Sequence, residues 1–215
     1  MVIKIKNTSQ EFSVEKIFCI GRNYAKHAKE LGNAVPEKPV VFMKSKNALL
    51  SEGKTIPFPT HGNEMHHEAE LVILIGKDGK NIPENEAASY VAGYGIGLDL
   101  TLRDVQSNQK TKGLPWEIAK AFDGSAPLGS FVQTVNDERN ISIKCYVNNE
   151  LRQDGNTKDM IYSIPYLIHY LSEIFTLEAG DLIFTGTPDG VGPLNHGDKV
   201  RVEISGIGEM SFTVG

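Results

Sequence analysis

The chain has 215 residues, of which 40% are hydrophobic and 23% are charged. This is ordinary globular composition, so extended disorder is excluded and there are enough apolar residues for a sizeable core. Twenty-two basic residues against 27 acidic ones give a net charge of −5. Such a surface repels phosphate backbones, which argues against a nucleic-acid partner. A small anionic substrate requires local cations or a metal ion to overcome that field.

The N-terminal segment and the cysteines indicate a cytoplasmic protein. The opening residues, MVIKIKNTSQ, contain no apolar core of signal-peptide length. The longest aliphatic run, LVILI at 71–75, is far shorter than a membrane span. Cys19 and Cys145 lie in apolar, strand-like stretches, which is typical of buried free thiols in a reducing compartment. We therefore expect a cytoplasmic location and no membrane partner.

The first half of the chain predicts short strands with two helices. VIKI, KIFCIG and VVFMK predict strands, and NYAKHAKEL at 23–31 predicts a helix. AELVILIGK predicts a buried strand, because continuous aliphatic residues suit a sheet that is covered on both faces. ENEAASYVAG predicts a short helix that ends at Gly93. The next segment, YGIGLDLTLRD, predicts a strand that runs into a loop.

The second half predicts a hairpin, one long helix and a strand-rich tail. PWEIAKAF predicts a helical turn with Pro115 at its start. ISIKCYVNNELRQDG predicts a hairpin that turns at Asn148 and Asn149, since asparagine tolerates the left-handed conformation. SIPYLIHYLSEIF has helical apolar spacing, and the tail predicts a strand, a glycine-rich loop and a closing hairpin. Many strands outside strict βαβ alternation predict an α+β fold, with an all-β barrel decorated by helices as the alternative.

Three carboxylates form the most informative chemical pattern. In MHHEAELVIL at 65–74, Glu68 and Glu70 would share one face of a strand about 7 Å apart, beside aliphatic residues. Asp99 adds a carboxylate in the apolar segment GIGLDL, where a lone charge is costly to bury. Three hard oxygen ligands suit Mg²⁺ or Mn²⁺ better than zinc, and HHEAE lacks the H-E-x-x-H spacing. The pattern alone leaves a solvated acidic surface open.

A histidine and two lysines are further candidates. His27 and Glu30 are three residues apart in GRNYAKHAKELG, so a helix places them on one face. A carboxylate beside an imidazole orients it and stabilises its protonated form, as a general base requires. Lys44 in VVFMKS and Lys120 in WEIAKAF each follow apolar residues. Taken singly, the local sequence favours an ordinary solvated helix for the first pair and surface lysines with buried stems for the other two.

Five segments in a fixed order resemble the fumarylacetoacetate hydrolase family, in particular its short acylpyruvase and oxaloacetate decarboxylase-like members. They are IGRNYAKHAKELG, HHEAELVILIG, GYGIGLDLTLRDVQ, KGLPWEIAKAFDG and IFTGTPDGVG, and the resemblance covers roughly residues 16–205. It implies that family's α+β fold, a mixed β-roll or sandwich with short peripheral helices. It also implies one catalytic domain over residues 1–215 and a homodimer.

The resemblance implies roles for individual residues. It assigns a divalent-metal site, with Mg²⁺ as the expected ion and Mn²⁺ as the alternative, to Glu68, Glu70 and Asp99. It assigns catalysis, with the first two residues on a short helix that orders when substrate binds, to His27, Glu30 and Lys120. The implied substrate-binding positions are Arg22, Lys44, Arg103, Gln106 and Thr187.

The same resemblance implies an activity on small anionic 2-oxo acids. The first expectation is metal-dependent cleavage of the C–C bond of acylpyruvates, such as acetylpyruvate or fumarylpyruvate, to pyruvate and a carboxylic acid through a metal-bound pyruvate enolate. Oxaloacetate decarboxylation and keto–enol isomerisation of 2-oxo diacids share that enolate, so both remain open. A non-catalytic module that binds an acidic metabolite would need the three carboxylates but not His27, Glu30 or Lys120.

Overall fold

A seven-stranded mixed sheet organises this computed structural model, which describes residues 1–32 and 34–215. Its strands, in spatial order, are β4 (Val40–Lys44), β3 (Ile17–Gly21), β13 (Leu182–Phe184), β7 (Ala69–Ile75), β8 (Val91–Leu98), β10 (Ala126–Val132) and β5 (Leu49–Ser51). Every residue of β7 is buried, and its side chains alternate between two apolar clusters. The continuous aliphatic run is therefore a strand covered on both faces, as the sequence predicts.

Three smaller sheets complete the β structure of the described residues. A four-stranded antiparallel sheet contains β12 (Glu150–Asn156), β11 (Ser142–Val147), β15 (Lys199–Ile204) and β16 (Gly208–Thr213). A three-stranded sheet contains β14 (Gly192–Leu194), β6 (Met65–His67) and β9 (Thr101–Leu102). A two-stranded ribbon joins β1 (Val2–Lys4) to β2 (Glu11–Ser13). The buried face of the four-stranded sheet packs into the larger apolar cluster together with alternate residues of β7.

The α-helices of the described residues are short and peripheral. They are α1 (Ala25–Glu30), α2 (Arg103–Lys112), α3 (Glu117–Lys120) and α4 (Ile164–Ile174). Single 3₁₀ segments occupy Lys46–Ala48, Glu84–Tyr90 and Thr157–Asp159. The longest helix, α4, begins where the Ser163 hydroxyl accepts a hydrogen bond from the Tyr166 N–H and buries its apolar stripe, as its sequence predicts. No helix in the described part of the chain has the length and apolar character needed to cross a membrane.

The α+β prediction is confirmed, and so is the predicted hairpin. Asn148 and Asn149 connect β11 to β12 with φ angles of 52° and 68°. The helix predicted to end at Gly93 instead ends as a 3₁₀ segment at Tyr90, and Gly93 lies within β8. Gly93 packs too closely for a side chain there, because a Cβ would lie 2.9 Å from the Val132 carbonyl oxygen.

The strand in YGIGLDLTLRD was predicted to run into a loop, and this part of the prediction is wrong, because a helix begins at Arg103. This helix, α2, is mostly polar, and its sequence contains no apolar stripe to reveal it. Local signals hold it instead: Asp104 lies in its first turn, Lys110 and Lys112 lie in its last turn, and Gly113 ends it with a φ of 65°.

Candidate active site

Three predicted metal ligands come together at one end of the central sheet. Glu68 lies in the break between β6 and β7, Glu70 is the second residue of β7, and Asp99 follows β8. Because β7 and β8 are antiparallel, the start of one strand adjoins the end of the other, and the Asp99 N–H donates to the Glu68 carbonyl oxygen at 2.8 Å. The three side chains are buried, and one carboxylate oxygen from each lies within 4.8 Å of the others.

Lys120 supplies positive charge to two of the three carboxylates. Its Nζ donates to Glu68 Oε2 and to Asp99 Oδ2, each at 2.7 Å, and all three side chains are buried. The Arg103 guanidinium also pairs with Glu68, through Oε1. The Lys120 ammonium lies 5.0 Å from the centre of the Phe42 ring, so it has an aromatic wall on one side.

The ionisation of these groups follows from burial set against neighbouring charge. Burial by itself would raise the pKa of the Glu68 carboxyl, but Lys120 and Arg103 outweigh it and hold that pKa well below its usual range. Burial lowers the pKa of Lys120, and the two carboxylates it contacts more than reverse that effect. Burial, with Asp99 and Glu68 nearby, raises the pKa of Glu70 well above its usual range, and the Gly186 N–H and Lys120 offset this only in part.

Lys44 lies behind the carboxylates rather than on the cavity wall. Its Nζ is 2.8 Å from Asp99 Oδ1, and it donates to the carbonyl oxygens of Leu100 and Ser125 at 3.3 and 3.1 Å. It also donates to the carbonyl oxygen of Lys120 and to Ser125 Oγ. Lys44, which was predicted to bind substrate, therefore holds Asp99 and the end of α3 in place.

The donor set fits a hard divalent cation. Glu70 forms no ion pair with any described residue and accepts one hydrogen bond, from the Gly186 N–H, whereas Asp99 Oδ1 lies 2.8 Å from the Lys44 ammonium. A buried carboxylate is costly in its charged form unless a cation lies against it. With Glu68 and Glu70 alongside, the set consists of three carboxylates, the ligand type that Mg²⁺ and Mn²⁺ favour. His66 and His67 belong to no ligand group among the described residues.

The His27–Glu30 pair is held next to the carboxylates. His27 Nδ1 lies 3.2 Å from Glu30 Oε2, and the other oxygen of Glu30 accepts a hydrogen bond from the Gly190 N–H at 3.0 Å. A carboxylate only accepts hydrogen bonds, so the proton belongs on His27 Nδ1 and leaves a lone pair on Nε2. This is the tautomer in which the second ring nitrogen can act as a base.

These groups line one cavity with a volume of about 40 Å³. The predicted site residues on its wall are Arg22, His27, Glu68, Glu70, Asp99, Arg103, Gln106, Lys120 and Thr187. Of the other predicted site residues, Glu30 contacts His27, and Lys44 contacts Asp99. Arg22 adopts a left-handed backbone with a φ of 60°, a conformation that a non-glycine residue holds only at a cost.

Other cavity residues are absent from the predictions. Phe42 and Trp116 form an aromatic wall, with ring centres 6.0 Å apart, and Lys110 lies on the cationic side. Arg103, Gln106 and Lys110 are spaced by three and four residues, so they share one face of α2. This spacing would have identified Lys110 if the segment had been predicted as a helix, whereas no local signal marks Phe42 or Trp116.

Both the fold and the buried site define a protein of the fumarylacetoacetate hydrolase class. Residues 16–215 match the family model described as "Fumarylacetoacetate (FAA) hydrolase C-terminal". The chain therefore belongs to the fumarylacetoacetate hydrolase family, as its sequence motifs predict.

Two curated relatives and one solved structure are similar to this chain over nearly its whole length. The chain is 47% identical over 201 residues to "Oxaloacetate tautomerase FAHD1, mitochondrial" of Arabidopsis thaliana, which covers 93% of this chain and 90% of that protein. It is 48% identical over 199 residues to "Oxaloacetate tautomerase YcgM" of Escherichia coli (strain K12), covering 91% of each. The crystal structure of fumarylpyruvate hydrolase from Pseudomonas aeruginosa, in complex with Mn²⁺ and pyruvate, matches with a TM-score of 0.94 and 40% identity, over 100% of this chain and 95% of that one. With the buried acidic triad, that manganese complex indicates a divalent-metal site.

Proposed function

We propose that this protein is a divalent-metal-dependent enzyme that interconverts the keto and enol forms of oxaloacetate. One observation carries the proposal: the His27–Glu30 pair adjoins the same small cavity that the three carboxylates and Lys120 line. Tautomerisation moves a single proton between C3 and the C2 oxygen, so it requires a positioned base and fixed positive charge near that oxygen. The named tautomerases at 46–48% identity support the same reaction.

Glu68, Glu70 and Asp99 would hold the ion, which we take to be Mg²⁺ with Mn²⁺ as the alternative. When bound, a divalent ion supplies Lewis-acid polarisation of a 2-oxo group. Lys120 adds a fixed positive charge beside the developing enolate oxygen, and two carboxylates orient its ammonium. Its raised pKa keeps that charge in place, so it acts electrostatically rather than as a proton donor.

His27 performs the proton transfer in this proposal. In the keto-to-enol direction, its Nε2 lone pair takes a proton from C3, the C–H electrons form the C2–C3 double bond, and the C2 oxygen takes a proton from solvent. In the reverse direction, the imidazolium returns a proton to C3 and the enol O–H proton leaves to solvent. Glu30 stabilises the imidazolium and keeps Nε2 directed away from itself, because it occupies Nδ1. Positioned base catalysis typically contributes about 10²- to 10⁴-fold.

The charges that line the cavity support a dianion as substrate. Four cationic side chains and three carboxylates line the cavity, namely Arg22, Arg103, Lys110 and Lys120 against Glu68, Glu70 and Asp99. A divalent ion would raise the positive excess from one charge to three, which suits a substrate with two carboxylates.

Acylpyruvate hydrolysis is the second candidate, favoured by the full-length likeness to the fumarylpyruvate hydrolase structure. In that reaction, His27 would take a proton from water that attacks the distal carbonyl. Oxaloacetate decarboxylation needs no attacking water and is the third candidate. We also propose that residues 1–215 act as one catalytic domain, in a cytoplasmic homodimer.

One assay separates these reactions. The purified protein is mixed with enol-enriched oxaloacetate, and the loss of enol absorbance is followed while pyruvate is measured in the same sample, with Mg²⁺, with Mn²⁺ and with EDTA. Acetylpyruvate and fumarylpyruvate are tested in parallel. We expect metal-dependent loss of enol without pyruvate. Pyruvate released at the rate of enol loss would instead identify a decarboxylase, and acylpyruvate turnover that exceeds tautomerisation would identify a hydrolase.

Two variants assign the proton transfer and the metal site. Glu70→Gln retains the size of the side chain but removes one ligand charge, so metal-dependent turnover should be lost. His27→Gln should lower the turnover number at least about a hundredfold while Mn²⁺ still binds. Because metal ions and buffers accelerate tautomerisation on their own, each rate is compared with a protein-free sample. Unchanged tautomerisation in the His27 variant would contradict its role as the base.

A further inference from the structure

Gln153 is a fully buried polar residue that no step of the proposed reaction uses. It is the one buried residue of β12, a strand whose other side chains are partly or fully exposed. It does not line the cavity of the candidate site. A buried amide requires partners for two N–H donors and for its carbonyl oxygen, so its contacts indicate what it does.

The amide of Gln153 bridges two segments of the candidate site. Its Oε1 accepts from the Ala69 N–H at 3.0 Å and lies 3.0 Å from His67 Nδ1. Its Nε2 donates to Thr187 Oγ1 at 2.8 Å and to the Pro188 carbonyl oxygen at 2.9 Å. A backbone N–H can only donate and a backbone carbonyl can only accept, so Ala69 and Pro188 settle which end of the amide is oxygen.

These bonds form a closed ring around the backbone beside Glu68. The Thr187 hydroxyl donates to the Ala69 carbonyl oxygen at 2.8 Å, so Gln153, Ala69 and Thr187 are linked in a cycle. Glu68 lies between two residues that contact the same Gln153 oxygen, at the point where β6 has ended and β7 has not begun. Gln153 thus holds the chain on both sides of a predicted metal ligand where strand pairing is interrupted.

The same strand fixes the loop 186–190, which contacts both halves of the site. The Gly186 N–H donates to Glu70 Oε2 at 2.7 Å, and the Gly190 N–H donates to Glu30. Strand β12 lies directly against this loop: a Cβ on Gly190 would come within 2.0 Å of the Arg152 carbonyl oxygen. A shift of the loop relative to β12 would therefore move a contact of Glu70 and a contact of Glu30 together.

We propose that Gln153 is a positioning residue that sets the metal-binding geometry of Glu68 and Glu70 by joining segment 67–69 to the loop 186–190. This inference rests on the proposed function, because it requires that the three carboxylates bind a divalent ion. It assigns Thr187 a second role in the ring, where the proton of its hydroxyl is committed to Ala69.

The test measures Mn²⁺ affinity without substrate, by calorimetry on the full-length protein. Gln153→Met introduces an apolar side chain of similar length and removes all four polar contacts. Residues that orient metal ligands typically change metal affinity about 10- to 100-fold when lost, and we expect a weakening in this range. Thr187→Val breaks the ring from the other side and serves where Gln153→Met does not fold. We expect the double variant to bind no more weakly than the weaker single variant, because both changes open one ring.

Ser172→Ala is the matched control. Ser172 is also fully buried, and its hydroxyl links the Ile82 N–H to the His169 carbonyl oxygen, outside the residues that line the cavity. It should lower the melting temperature without changing Mn²⁺ affinity. Mn²⁺ affinity within twofold of wild type in Gln153→Met, or in Thr187→Val when that variant stands in for it, would overturn the positioning role while leaving the proposed function intact. Wild-type protein that binds no Mn²⁺ would overturn both.

Discussion

The replacement Lys120→Met tests the electrostatic account of the site most directly. The Lys120 ammonium is buried and donates to Glu68 and Asp99 at 2.7 Å each, so its loss leaves two carboxylates without that partner. Removing one member of a buried ion pair typically costs about 3–5 kcal/mol. Because Arg103 still pairs with Glu68 and Lys44 with Asp99, we take the lower value of about 3 kcal/mol. For a chain of this length, each kcal/mol lowers the melting temperature by about 2–4 °C, so we expect a decrease of about 6–12 °C in EDTA.

A divalent ion should reverse most of this loss. It would bring positive charge to the same carboxylates, and a ligand at 100 times its dissociation constant stabilises the folded state by about 2.7 kcal/mol. The measurement is thermal unfolding by circular dichroism in EDTA and in excess Mg²⁺ or Mn²⁺. We expect the variant to gain more from the metal than the wild type gains. Tautomerase turnover should remain low, because the metal does not replace the fixed charge beside the enolate oxygen.

Lys4→Met provides the matched control for this prediction. Lys4 pairs with Glu11 at 2.8 Å, but both side chains are exposed, so the change should be too small to resolve in either buffer. If Lys120→Met and the wild type have the same melting temperature in EDTA, the buried ion pairs of Lys120 do not stabilise the fold. If the metal raises the melting temperature of the variant no more than that of the wild type, the ion does not replace the Lys120 charge at these carboxylates.

Three further predictions concern separate features. Glu30→Gln should lower tautomerase turnover at least about tenfold with Mn²⁺ affinity unchanged, because the imidazolium loses its carboxylate. Burial raises the pKa of Cys145 to about 12, and that of Cys19 also rises well above its usual value, so a thiol reagent at pH 8 should label both only in urea; labelling of native protein would contradict their burial. Because Asn149 has a φ of 68°, Asn149→Val should lower the free energy of unfolding, measured in urea, by about 1–3 kcal/mol, and Asn149→Gly should leave it almost unchanged.

Short-range patterns in the sequence determined much of the fold. The aliphatic run of β7, the apolar stripe of α4 and the Asn148–Asn149 turn are each specified within about a dozen residues, and each forms as predicted. Such features follow from local spacing and backbone preference alone. The helix α2 escaped prediction because it is mostly polar, so no apolar stripe distinguishes it from a loop.

Some features of the candidate site follow from local sequence spacing, and others follow only from the tertiary structure. Pairs such as Glu68 with Glu70, and His27 with Glu30, are recognisable because a strand or helix brings nearby residues to one face. Only the tertiary structure decided that Lys120 pairs with Glu68, that Lys44 lies behind Asp99, and that Gln153 holds a backbone 84 residues away. Which cation neutralises which buried carboxylate depends on distances between distant segments, and the chain acquires those distances only when its sheets pack together.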